Sequence, residues 1–211
     1  MMTSHSRIQR LVVLAASTAL ATGTLLPSTT ASPAPAPSPS GAVTMPLVAH
    51  GSREQRATAV PAGEWVKVTD PPSGITAELP GKATVLAVTL DGKPGRGYRA
   101  DFPGGGMMFT VHDIPGDQIP LEDYLQGFLS LVNATGGDPF TSSDVRKTTV
   151  DGRPALDARL ATKEDGRPQT GFVRFIADDT HLVQALTFGP EADQKALKEM
   201  HERLLASISI P

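Results

Sequence analysis

His201 and Glu202 stand side by side in "MHERLL", the opening of the His-Glu-x-x-His pattern by which one helix face offers zinc two imidazoles. The second imidazole belongs at position 205, but that residue is Leu205, so no i, i+4 chelate can form. His201 is then expected on the helix surface. The glycines of "DFPGGGMMF", Asp101 to Phe109, invite comparison with a phosphate-binding loop. Such loops follow a strand, carry Lys and Ser or Thr, and open a helix whose N-terminus faces the anion. Here the glycines precede Met107–Asp113, which alternates as a strand does, and no Lys or Ser follows. Pro103 to Gly106 are expected to be a flexible link into that strand.

Nucleophiles are equally scarce. The chain has no cysteine, which excludes a disulfide framework, a thiol nucleophile and a thiolate metal site. No serine occupies a Gly-x-Ser-x-Gly elbow, and no Ser-x-x-Lys occurs in the mature region. A hydrolase would have to assemble its triad in space, with a Ser or Thr oxygen beside His112 or His181 and a carboxylate behind the imidazole. Both histidines fall in or beside strands and are expected to be half-exposed. The acidic pairs Glu122-Asp123, Glu164-Asp165 and Asp178-Asp179 lack the alternating spacing of a calcium loop and suit helix-dipole and turn roles. Asn133-Ala134-Thr135 matches a glycosylation acceptor, which carries little weight in a chain with a bacterial type of leader. No catalytic, cofactor-binding or metal-ligating residue is therefore assigned.

One polar pattern is distinctive. Asp157 and Arg159 alternate with Leu156, Ala158 and Leu160; Arg174 alternates with Val173 and Phe175; Gln184 sits between Leu182 and Leu186. If the strands pair in register, these side chains are expected to share a sheet face with Thr170. They then form either a solvated face with cross-strand ion pairs or a docking surface for a partner.

The elements that would position them show two periods. Apolar and β-branched runs lie at Thr76–Pro80, Ala83–Leu90, Met107–Asp113, Val145–Val150, Ala155–Ala161, Thr170–Ala177 and His181–Phe188. Asp91-Gly92, Asp151-Gly152, Asp165-Gly166 and Asp178-Asp179 punctuate them; Asp-Gly between alternating runs is a hairpin signal, and the last four runs predict an antiparallel meander. In "PLEDYLQGFLSLVN", Leu121, Tyr124, Leu125, Phe128, Leu129 and Val132 form one helical stripe, with Pro120 at its start and Gly136-Gly137 beyond its end. "PEADQKALKEMHERLLAS" predicts a second helix buried through Ala196, Leu197, Met200 and Leu204.

Residues 1–31 read as a signal peptide: Arg7 and Arg10 precede the apolar Leu11–Leu26, and small residues end at Ala31. With no stop-transfer charges, no stable membrane span is expected after cleavage. The alternative is a retained anchor. Residues 32–61, with "SPAPAPSPSG", read as a Pro/Ala/Ser-rich disordered linker. Residues 62–211 are long enough for one α/β domain with its own core. The full chain carries 19 basic and 22 acidic residues, and loss of Arg7 and Arg10 leaves 17 against 22. Mild acidity without a basic run argues against a nucleic-acid surface.

"EWVKVTDPPSGITAELPGK", Glu64 to Lys82, joins a Trp-led strand, a Pro/Gly turn and a strand ending in Leu-Pro; a long meander and a closing helix with "SISI" follow. This order resembles the PsbP-like/Mog-like superfamily over roughly Trp65 to Ile210, and within it the exported actinobacterial envelope proteins. The resemblance implies an α+β fold: an antiparallel sheet of about six strands flanked by helices, an α/β/α sandwich. Members mostly bind or assemble and share no catalytic residue to carry over. The chain departs from the lipoprotein branch by lacking an anchoring cysteine. The function expected is a secreted, non-catalytic binding or scaffold module of the bacterial envelope, recognising an envelope protein or an apolar ligand. Its alternatives are a carrier of an apolar small ligand, with a cavity of several hundred Å³ between the Leu121–Val132 helix and the sheet lined by Met107 and Met108, the usual scale of ligand pockets being roughly 300–1,000 Å³, and a hydrolase with a Ser/His/Asp site assembled in space.

Overall fold

Eight residues from Gly105 to His112 (β5) and nine from Leu182 to Pro190 (β9) form the centre of a seven-stranded antiparallel sheet of order β3-β4-β5-β9-β8-β7-β6. Its other strands are β3 (Thr84–Leu90), β4 (Lys93–Phe102), β6 (Thr141–Val150), β7 (Arg153–Glu164) and β8 (Arg167–Ala177). A separate two-stranded hairpin, β1 (Trp65–Thr69) and β2 (Thr76–Pro80), precedes them. Helix α1 (Leu121–Asn133) links β5 to β6, and α2 (Gln194–Ser207) follows β9 after a short 3₁₀ turn. This computed structural model describes residues 63–90, 92–116 and 120–211; the leader and the Pro-rich segment expected at 1–31 and 32–61 lie outside them. Among the described residues no helix is long and apolar enough to cross a membrane.

The expected four-strand meander is β6 to β9, and its first two turns follow from the Asp-Gly pairs. Asp151 and Gly152 have φ of 50° and 81°, Asp165 and Gly166 of 50° and 75°. Positive φ at both central residues matches the right-handed strand twist and favours Asp-Gly. The sheet has seven strands where about six were expected. The additional strand is β4, whose "KPGRGYRADF" mixes proline, two glycines and charges and has no clear apolar alternation. Packing explains the glycines. A Cβ on Gly95 would lie 2.9 Å from both Val88 Cγ2 and His112 Nδ1.

The sheet is covered on both faces. On one, α1 packs Leu121, Leu125 and Leu129 against Met108, Leu156, Leu160, Phe175 and Leu182. On the other, the β1–β2 hairpin and α2 bring Ala77, Leu79, Met200 and Leu204 onto Met107, Phe109, Val111, Ile176 and Val183. Burying each Leu or Val side chain contributes about 1.5–3 kcal/mol. Arg203 of α2 lies 4.2 Å from the Trp65 ring centroid, holding the hairpin to the helix. Beyond α2 the chain pairs once more with β2, through the Thr76–Ser209 bridge.

The glycine run leads into a strand, as expected, though through a tight hairpin in place of a flexible link. Gly104 turns at φ 80° while Gly105 and Gly106 belong to β5, pairing with Phe102 and Asp101. A Cβ at Gly105 would fall 2.3 Å from the Phe188 carbonyl oxygen and 2.6 Å from the Phe102 ring. Gly105→Ala should therefore push β9 from β5 and lower stability by about 2 kcal/mol, read from the urea midpoint. Gly127→Ala, in α1 with no atom within 4 Å of its added Cβ, should raise that midpoint by an amount worth about 0.5–1 kcal/mol.

Candidate functional site

The registers of β6, β7 and β8 bring charges together beneath α2. Asp157 pairs with Arg174 across β7–β8 and with Arg146 across β6–β7. Arg174 donates through Nε to Asp157 Oδ1 and through a terminal nitrogen to Oδ2 at 2.8 Å; Arg146 adds a contact at 3.1 Å. Burial pushes the Asp157 carboxyl up, but the bonds from Arg174 and Arg146 outweigh it and hold the group below its usual range. Arg159 leaves its strand toward the helix, donating to Thr170 Oγ1 at 3.3 Å, Glu191 at 3.2 Å and Gln194 at 2.9 Å. Arg146, Asp157, Arg159, Arg174 and Gln194, with Phe172 and His201, line an open groove of about 640 Å³ between α2 and β6–β8.

Three of the four expected partner-facing residues, Asp157, Arg159 and Arg174, thus lie on one face with Thr170. Gln184 does not. It pairs with Phe175, one position off Arg174, so its side chain faces α1. Strand alternation decides this, since a shift of one residue reverses the face. His201 is also corrected: it is 6% exposed and not on the helix surface. Its Nδ1 lies 3.0 Å from Thr187 Oγ1, and its ring stands 5.9 Å from that of Phe172. Because α2 turns this face into the sheet, burial and then Arg174 lower its pKa to about 4, against the pull of Asp157.

At the far end of the sheet an ion network escaped sequence reasoning, since its members lie far apart in the chain. Asp70, fully buried, accepts from Ser73 Oγ at 2.6 Å, Tyr98 OH at 2.7 Å and Arg96 Nε at 2.7 Å. Arg96 also grips Asp113, so one guanidinium spans two carboxylates. Burial pushes Asp70 up, yet the bonds from Arg96, Ser73 and Tyr98 hold it at about 2. The cost of burying such a pair is recovered only with good geometry and further hydrogen bonds, both present here.

A hydroxyl, an imidazole and a carboxylate do meet in this region. His181 Nδ1 is 2.7 Å from Thr180 Oγ1, and its Nε2 is 3.7 Å from Asp113. The Thr180 hydroxyl, however, donates to Asp178 Oδ2 at 3.1 Å. Its proton is directed away from the imidazole, and the second contact is longer than a hydrogen bond. Arg153 completes the chain of contacts, donating to Asp178 at 2.6 Å and to the Pro211 carbonyl at 3.2 Å. The arrangement ties the β8–β9 turn to the C-terminus. His112, expected to be half-exposed, is buried at 6% among residues facing α1. Asn133 uses its amide twice, accepting from Phe140 N at 2.7 Å and donating to Phe140 O at 3.1 Å, which closes the loop after α1.

The space between α1 and the sheet measures about 80 Å³, not the several hundred expected of a carrier. Met107 and Met108 both border it, as expected, with the Met107 side chain packed in the core on the opposite face. Among the described residues no three His, Cys, Asp or Glu side chains converge on a metal position.

No family model and no curated protein matches the chain. Among solved structures, the cyanobacterial PsbP of Synechocystis sp. PCC 6803 superposes with a TM-score of 0.53 at 14% identity, covering 74% of this chain and 98% of that one. LpqN, involved in cell envelope biogenesis of Mycobacterium tuberculosis, gives 0.41 at 14% identity over 70% and 91%. The Ran-binding protein Mog1p of Saccharomyces cerevisiae gives 0.44 at 13% identity over 71% and 96%. The first likeness shows the fold, which is PsbP-like.

The buried ionisable groups fix a pH response. His112 and His201 are both lowered from 6.5 to about 4, chiefly by burial. Each is protonated in the unfolded chain before the folded one, so its contribution is complete above pH 6.5 and is lost as pH falls to about 4, roughly 3 kcal/mol apiece. Asp70 acts lower: its contribution is present above 3.8 and lost as pH falls through about 2. Urea midpoints between pH 7 and 4 should fall accordingly, and NMR titration should place both imidazoles near 4; a value near 6.5 for either would contradict its burial. Asp70→Asn should cost about 3 kcal/mol at pH 7 by leaving Arg96 short of a partner.

Proposed function

We propose that the chain is a secreted, non-catalytic binding module of the bacterial envelope, and that the groove beneath α2 docks an acidic, extended segment of a partner protein. The groove's composition carries this reading. Its lining holds Arg146, Arg159, Arg174 and Lys198 against Asp144, Asp157 and Glu202, a net positive charge on a chain whose formal charge is −3. Phe172, Val145 and Leu205 supply apolar contact between those charges. Arg146 and Lys198 remain largely exposed, at 74% and 63% of their side-chain surface. Rim charges of this kind steer encounter and fix orientation more than they add affinity.

Export is supported by the leader-like residues 1–31, and the binding role by the groove, which offers shape and charge without a poised nucleophile. The expected partner-facing residues Asp157, Arg159 and Arg174 are its floor and wall, while Gln184 is withdrawn from this role. The Asp157–Arg174 pair is an internal fixture; an incoming carboxylate meets Arg146, whose 3.1 Å contact with Asp157 leaves most of its side chain exposed, and Arg159, where it competes with Glu191 at 3.2 Å.

A defined peptide tests the reading. Acetyl-(Val-Glu)₄-amide, titrated into the ¹⁵N-labelled full chain at low salt, should shift the amides of Arg146, Phe172 and Lys198. Acetyl-(Val-Lys)₄-amide should not. Arg146→Glu with Arg159→Glu should weaken the first peptide at least tenfold while the far-UV spectrum stays unchanged. Equal binding of the two peptides, or shifts confined to other surfaces, would remove the groove from the argument.

A further inference from the structure

Strand β5 places Thr110 and His112, and β9 places Gln184, on the face turned toward α1. Thr110 and Gln184 are register partners, and His112 follows two residues along the same face. All three are at least nine-tenths buried, with exposures of 1%, 6% and 5%. His112 and Gln184 share a side-chain hydrogen bond, yet among the described residues Thr110 Oγ1, His112 Nδ1 and Gln184 Nε2 have no hydrogen-bond partner. A buried polar atom left unpaired costs about 1–3 kcal/mol, so such atoms are normally answered by something. Here all three line one pocket, the 80 Å³ space beneath α1, whose walls are Leu90, Met108, Phe128, Leu182 and Leu186. Leu131, a lining residue left 41% exposed, marks the mouth.

We propose that this pocket binds a small neutral amphiphile, a primary amide or alcohol on a short apolar body, with its head held by Thr110, Gln184 and His112. The trio supplies both donors and acceptors, as an amide or hydroxyl requires. Charge is excluded by the surroundings. Arg99 also lines the pocket, but its Nε and a terminal nitrogen lie 2.7 and 2.6 Å from Asp101 Oδ1, so its charge is already answered. Size limits the body. A volume of 80 Å³ exceeds that of a single water, whose share of liquid is about 30 Å³, and falls short of the roughly 300 Å³ of drug-sized sites. Gly95 keeps the head site open, since its missing Cβ would crowd His112 Nδ1 at 2.9 Å.

The pocket lies on the opposite side of the sheet from the α2 groove, and neither proposal rests on the other. Methionine methyls separate the faces: Met107 and Met108 both border the pocket, but Met108 packs in the core on the α1 side, while Met107 and Met200 pack in the core on the other. In the full chain labelled with ¹³C at methionine methyls, butyramide should shift Met108 saturably, with a millimolar Kd, and leave Met107 and Met200 in place. Butyrate should bind at least tenfold more weakly. Thr110→Val and Gln184→Leu should each weaken butyramide about tenfold without weakening 2-methylpentane, its headless counterpart. Leu131→Trp, at the exposed mouth, should abolish the Met108 shift and serves if the buried variants fail to fold. The proposal is overturned by an unmoved Met108, by butyrate binding as tightly as butyramide, by variants that lose both ligands alike, or by undiminished binding with Leu131→Trp. A pocket holding only ordered water would show the first of these.

Discussion

Both faces of the β5–β9 seam must be covered, and the other described elements are arranged to do it. β5 is buried everywhere except its first residue and β9 everywhere except its last. An antiparallel sheet commonly leaves one face in water. Here the seam joins two meanders, β3–β5 and β6–β9, in the middle of a single sheet, and both of its sides are covered. Helix α1 closes one face. The β1–β2 hairpin, α2 and the returning C-terminal segment close the other.

Polar side chains on so dry a seam show how each covering layer is used. Thr187 faces α2, and that helix answers it with His201, hydroxyl to imidazole at 3.0 Å. Thr110, His112 and Gln184 face α1, whose inward side is Leu121, Tyr124, Leu125, Leu129 and Val132. Nothing in that stripe reaches the trio's three open atoms. One layer therefore matches the polarity beneath it and the other does not. An unmatched set at the centre of a covered sheet is a destabilising choice for packing alone, which is why it points to an occupant.

The fold was largely legible because period and turn chemistry are local. Asp-Gly pairs, the stripe from Leu121 to Val132 and the alternation of Met107–His112 each depend on neighbours within a few residues. β4 was hidden since Gly95 and Gly97 answer to Val88 and His112, contacts that chain order does not reveal. Face assignment was partly legible. Asp157 and Arg159 share a strand, so their common side is certain, whereas Gln184 needed the β8–β9 register. The Asp70–Arg96–Asp113 network spans three separate segments, and the burial of His112 and His201 depends on which layer covers them. A helical histidine beside Glu202 looks solvent-facing until α2 is docked.

Arg146 owes its place in the groove to one irregularity. Ser143 opposes Arg159, but two residues earlier on β7 Asp157 opposes Arg146, so β6 carries one residue more than its partner between those pairs. Asp144, at φ 52°, lies within this bulge. Bulges re-aim side chains and commonly occur at sheet edges, where they also discourage pairing with another chain. Regular pairing would set Val145 opposite Asp157 and turn Arg146 toward α1. The extra residue reverses that parity from Arg146 onward: Arg146 joins Asp157 in the groove, and Lys147 is sent to the other face, where it pairs with Glu122 at the start of α1. A single inserted position thus protects the edge strand, completes the charged groove and places a cation beside the helix's first turn. Strict alternation in the sequence could not have indicated any of the three.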